Sequence, residues 1–124
     1  MASLFASGLL AAPLIATGTA SAAPPETDLL LAVYQEETGV DSTRLTCDPA
    51  AGDHRAAQVA CGEIEAAGGD FTQLPGTEPQ VCTFDSRPVT AVAIGSWRGT
   101  PVQYVQEFPN RCVMEQETGT VFSF

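Results

Sequence analysis

The segment Cys82-Thr83-Phe84-Asp85-Ser86-Arg87-Pro88 carries the residues best suited to a chemical encounter. A half-cystine opens it and a proline closes it. A bridge at one end and a fixed φ at the other would leave it few conformations. Phe84 is large and apolar, and its neighbours Thr83 and Asp85 are polar. A stiff, exposed loop that offers one aromatic side chain is what the specificity pocket of a serine protease accepts as bait. The residues alone leave a second reading open, an ordinary surface connection with Phe84 tucked inward.

Other chemistry finds little support. His54 is the only histidine, and a loop histidine near a predicted helix start reads as a capping or surface residue. Ser86 lacks a Gly-x-Ser-x-Gly turn. Glu63 and Glu65 fall on different faces of a predicted helix, so they read as solvated charges and not as an acid–base pair. Gly68-Gly69 is a helix stop, because no Lys-Ser/Thr follows to make a phosphate loop. Trp97 and Tyr104 read as core aromatics of a hairpin in preference to a ligand-stacking pair. No Cys-x-x-Cys spacing occurs, which argues against zinc and redox centres. The expectation is a protein without cofactor or metal that is not an enzyme.

The 124-residue chain has a formal net charge of −10, and all five of its cationic side chains are arginine. Nucleic acid and anionic membranes are therefore poor partners, and the charge serves solubility. Leu4 to Thr17 is an apolar run rich in Ala and Leu that leads to Ala20-Ser21-Ala22, a cleavage pattern ahead of Ala23. This describes a secretory signal peptide over 1–22, and Pro13 argues against a membrane span. Residues 23–124 then form one secreted, extracellular domain with a core of modest size. Cys47, Cys61, Cys82 and Cys112 read as two disulfides in an exported chain, with three pairings open.

These residues need elements to position them. Ala23-Pro24-Pro25-Glu26 reads as an extended arm. Leu29 to Tyr34 suits a buried strand, Glu36 to Ser42 a turn, and Leu45-Thr46-Cys47 a short second strand. Ala57, Ala60, Cys61, Ile64 and Ala67 recur at helical spacing and predict a helix over 54–67, with Asp53 or a neighbour as its cap. Phe71 and Leu74 suit one further helical turn. Val89 to Trp97 and Val102 to Phe108 read as strands joined by a turn at Arg98-Gly99. Val121 to Phe124 reads as a last short strand. The order β-β-α-β-β-β predicts an α+β sandwich, an antiparallel sheet with a helix on one face.

Two groups of residues then carry a resemblance. The first is Leu45-Thr46-Cys47-Asp48-Pro49, Gly52-Asp53-His54, Ala60-Cys61 and Gly68-Gly69-Asp70-Phe71. The second is Cys82, Pro88-Val89-Thr90, Gly95-Ser96-Trp97-Arg98-Gly99, Val102-Gln103-Tyr104, Phe108-Pro109-Asn110-Arg111-Cys112 and Val121-Phe122-Ser123-Phe124. Together they resemble the Streptomyces subtilisin inhibitor family, over roughly residues 45–124. The resemblance implies a five-stranded antiparallel sheet with two helices packed on one face. It implies bridges Cys47–Cys61 and Cys82–Cys112 and a homodimer formed through sheet faces. It implies a reactive bond Phe84–Asp85 within a protease-binding loop of Cys82, Thr83, Ser86, Arg87 and Pro88, with Asn110 supporting the loop from behind. The function implied is inhibition of a subtilisin-like or chymotrypsin-like serine protease by a substrate-like loop. The alternative is a secreted binding module that keeps the fold and does not inhibit. Arg87 before Pro88, Arg55 after His54 and the acidic Asp85 depart from the family's usual residues.

Overall fold

The central strand is an apolar run whose side chains alternate in burial. In β1 (Thr27–Gln35) Leu29, Leu31 and Val33 are buried while Leu30 and Tyr34 are exposed, the period-two pattern of a sheet with one covered face. The computed structural model describes residues 26–124 together with 8, 10–15 and 18. The cleavage pattern Ala20-Ser21-Ala22 and the Ala23-Pro24-Pro25 stretch lie outside the described residues. So does much of the expected signal peptide.

After β1 come β2 (Gly39–Cys47), β3 (Ala51–Gly52), α1 (Ala57–Ala66) and a 3-10 turn at Phe71–Gln73. β4 (Val89–Trp97), β5 (Thr100–Phe108) and α2 (Arg111–Thr118) complete the order. The five strands form one antiparallel sheet in the order β3-β2-β1-β4-β5. Both helices cover the same face. Ala60 and Ile64 of α1 and Met114 of α2 join Leu29, Leu31, Leu45, Ala91, Ala93 and Phe108 in one core. This is the α+β, two-layer architecture that the resemblance implies.

Helix α1 presents Ala57, Ala60, Cys61 and Ile64 to the sheet, as its spacing predicts. Two glycines end it: the Gly69 N–H donates to the Ile64 carbonyl and the Gly68 N–H to the Glu65 carbonyl, each at 2.9 Å. Gly68 and Gly69 have positive φ, 64° and 81° respectively, which a side chain would resist. A Cβ on Gly69 would also lie 2.3 Å from Trp97 Cδ1. The Cys47–Cys61 disulfide, with Cα atoms 5.8 Å apart, fastens this helix to the end of β2. At the β4–β5 hairpin, Arg98 and Gly99 have φ of 46° and 82°, the two left-handed residues of a tight turn that follows sheet twist. The Arg98 guanidinium lies 4.9 Å over the Trp97 ring and pairs with Asp48 at 3.1 Å and Glu65 at 3.4 Å.

Several local expectations need correction. β2 begins at Gly39, inside the stretch read as a turn. Residues 39–42 are exposed, so no apolar pattern marks them, yet they pair in register with Ala32 to Gln35. The helix starts at Ala57 and has no side-chain cap from Asp53. Val121 to Phe124 is no strand; it is an irregular tail whose Val121 and Phe122 are fully buried, so packing and not pairing explains their apolarity. His54 is buried, not at the surface. Its Nδ1 accepts from the Ala56 N–H at 3.0 Å, so Nε2 carries the hydrogen and donates to the Val121 carbonyl at 3.0 Å. Glu63 is not simply solvated, because its carboxylate accepts from the Thr120 N–H at 2.9 and 3.2 Å. Tyr104 stacks with Phe122 at a centroid distance of 5.9 Å and meets Phe71 in a tilted contact at 5.5 Å. With Trp97 buried and Tyr104 packed against the core, the core reading of both aromatics holds, although Tyr104 lies opposite Ala93 and not Trp97.

Candidate functional site

The segment from Cys82 to Pro88 has no regular secondary structure and runs along the surface between the 3-10 turn and β4. Phe84 stands wholly in solvent, with a relative exposure of 105%, whereas Phe71, Phe108 and Phe122 are buried at 5% or less. An aromatic ring left out of a core that holds three others is not an ordinary surface connection. The inward-tucked reading of Phe84 is therefore excluded.

Exposure alone would make a floppy tip, and here the backbone is held. The Asn110 amide Nδ2 donates to the carbonyls of Thr83 and Asp85, at 3.1 and 3.2 Å. These are the two carbonyls on either side of Phe84. The same Asn110 is the N-cap of α2, its Oδ1 accepting from the Val113 N–H at 2.9 Å. The amide has one orientation that satisfies all three partners, because a flip would set donor against donor at Val113. Asn110 is itself 9% exposed, so its hydrogen bonds compete little with water. The cap that starts the helix thus also braces the loop.

Two further ties end on the same region. Cys82 is bridged to Cys112 in the first turn of α2, with Cα atoms 5.7 Å apart. The Arg87 N–H donates to the Pro109 carbonyl at 3.0 Å and to the Asp85 carbonyl at 3.2 Å. The chain is therefore anchored before Phe84 by Cys82 and Thr83 and after it by Asp85 and Arg87, all onto residues 109–112. A groove of about 380 Å³ opens beside the far end, lined by Ser86, Arg87 and Pro88 together with Glu36 and Glu37 of the β1–β2 turn. Among the described residues no group of three or more His, Cys, Asp or Glu side chains is placed to hold a metal ion. Among them, too, no helix is long and apolar enough to cross a membrane.

All the loop residues singled out in the sequence, with Asn110, meet in this one arrangement. Residue reading missed α2 and, with it, the second duty of Asn110. A cap-forming Asn after a proline was the available signal. It also missed the Pro109 carbonyl as a partner for the loop, a backbone contact that no side-chain pattern announces.

The subtilisin inhibitor-like family model matches residues 26–110. A "Subtilase-type protease inhibitor" of Streptomyces fradiae is 40% identical over 107 residues, covering 82% of this chain and 75% of that protein. "Protease inhibitor SIL-V1/SIL-V4" of Streptomyces netropsis is 40% identical over 103 residues, covering 77% of this chain and 94% of that protein. Among solved structures, a chain from the crystal structure of Streptomyces caespitosus sermetstatin in complex with Bacillus licheniformis subtilisin matches with a TM-score of 0.66. Its identity is 31%, and the match covers 78% of this chain and 97% of that one.

Proposed function

The chain belongs to the subtilisin inhibitor-like family, and from that premise we propose that it is a secreted, substrate-like inhibitor of subtilisin-type serine proteases with Phe84–Asp85 as its reactive bond. The observation that carries this reading is the full exposure of Phe84 between two carbonyls held by one buried side chain.

On this reading a protease takes Phe84 into its specificity pocket, and its serine attacks the Phe84 carbonyl with help from the triad and oxyanion hole. The leaving group is the amine of Asp85. In a flexible peptide that amine would diffuse away. Here both halves stay fastened to the start of α2: the acyl side through Cys82–Cys112 and the Thr83 carbonyl, the amine side through the Asp85 carbonyl and Arg87. The amine remains beside the acyl carbon and reforms the bond, the proximity effect that normally drives catalysis forward. A loop already ordered in the free protein also loses little entropy on docking. An interface of about 1,600 Å² can then bind very tightly.

Phe84 suits the apolar pockets of subtilisin-like and chymotrypsin-like enzymes. A trypsin-type pocket would keep a buried carboxylate unpaired against it. The segment 1–22 acts as the signal peptide, leaving 23–124 as the mature domain. A homodimer forms through the outer sheet face, where Leu30, Ile94 and Val105 are exposed. Titrating active-site-calibrated subtilisin with the purified protein tests the reading. A linear loss of activity ending at one inhibitor per enzyme is expected, with slow cleavage confined to Phe84–Asp85. Rapid cleavage elsewhere, or undiminished activity at excess inhibitor, would overturn it.

A further inference from the structure

Thr83 and Asp85 are both exposed, and their side chains stand on the same side of the loop. The Thr83 hydroxyl Oγ1 donates to Asp85 Oδ2 across a long contact of 3.5 Å. This contact joins the residue before Phe84 to the residue after it without passing through α2. The Asn110 hydrogen bonds and the Cys82–Cys112 bridge run through residues 109–112, and the Arg87 N–H stays on the amine side.

We infer that the Thr83 hydroxyl and the Asp85 carboxylate form a side-chain clasp across the reactive bond that slows its hydrolysis within the protease complex. The inference rests on the loop reading proposed above. In the free protein the clasp is open to water and weak. A docked protease excludes water, and a hydrogen bond to a charged acceptor then strengthens. The same exclusion would leave the Asp85 carboxylate desolvated and unpaired if the hydroxyl were missing, which is costly. Once the bond is cut, the clasp holds the Asp85 side near the acyl carbon independently of Asn110. Thr83 and Asp85 are positioning residues here, acting on the geometry of the bond between Phe84 and Asp85.

The test is the rate at which bound subtilisin cuts Phe84–Asp85, followed by mass spectrometry on stoichiometric complexes. Thr83→Val and Asp85→Ala should each speed the cut by about tenfold to a hundredfold, the scale of one hydrogen bond to a charged partner. Thr83→Ser should stay near wild type, because it keeps the hydroxyl. The double variant Thr83→Val/Asp85→Ala should be no faster than either single one, the signature of a shared interaction. Melting temperatures should not move. A Thr83→Val complex as durable as wild type, or fully additive effects of the two changes, would overturn the clasp. If the wild type inhibits and is cut slowly at Phe84–Asp85 while those results appear, the clasp alone fails. If the wild type does not inhibit at all, the loop reading fails and takes the clasp with it.

Discussion

Asn110 is the residue on which the site turns. One amide group starts α2 and holds the carbonyls on both sides of Phe84. Loss of the cap alone should cost about 1 kcal/mol of stability. Loss of the two loop hydrogen bonds, at about 1 kcal/mol each, should speed cleavage of the bound loop by roughly 30-fold. Asn110→Ala should therefore remain folded and turn from inhibitor to substrate, which a long incubation with subtilisin would reveal. Asn110→Asp should repair the cap and not the loop, because a carboxylate has no hydrogens for the Thr83 and Asp85 carbonyls. A durable Asn110→Asp complex would mean that the brace does not matter.

At the scale of elements, α2 is a post to which the loop is tied, and the Cys82–Cys112 bridge is its covalent knot. A bridge between residues 30 apart in sequence should contribute about 3–4 kcal/mol. Replacing both cysteines by Ser should lower the melting temperature and let subtilisin digest the loop quickly, while Cys47–Cys61 still holds α1 to β2. Survival of full inhibition in that variant would show that Asn110 suffices. The sequence shows some of these elements plainly and hides others. α1 is legible because Ala57, Ala60, Cys61 and Ile64 recur at helical spacing and two glycines stop it. β1 and β4 are legible as apolar runs rich in strand-forming residues, and β5 from alternation. α2 is hidden because its eight residues bury only Met114 and Thr118, too few to set a period. The first half of β2 is hidden because it is polar and exposed. The tail is misread as a strand because burial and pairing favour the same apolar residues. At the loop, residue types alone stop at two readings, since whether Phe84 points inward or outward is decided by the rest of the fold.

At the scale of the whole molecule, the sheet has a second face that no helix among the described residues covers. Leu30 pairs in register with Ile94, and Val92 with Val105, so their side chains form a continuous apolar strip on that face. A second copy of the chain is the occupant the family resemblance implies. Ile94→Lys sets a charge in the middle of the strip. It should leave inhibition intact and move the sedimentation coefficient from dimer to monomer. A wild-type protein that sediments as a monomer at micromolar concentration would contradict the dimer. The loop lies at one end of the domain, fastened to α2, so bait and sheet face should act independently.

The central claim is that Phe84 is bait, and one paired measurement tests it most directly: subtilisin affinity and melting temperature, both taken on Phe84→Ala. A fully exposed ring contributes little to folding, while an anchor in a protease pocket dominates binding. The account predicts a large loss of affinity with the melting temperature almost unchanged. Phe122→Ala, at a fully buried ring, supplies the contrast and should cost about 3–5 kcal/mol of stability. Unchanged affinity in Phe84→Ala, or a melting temperature that falls as far as that of Phe122→Ala, would contradict the account.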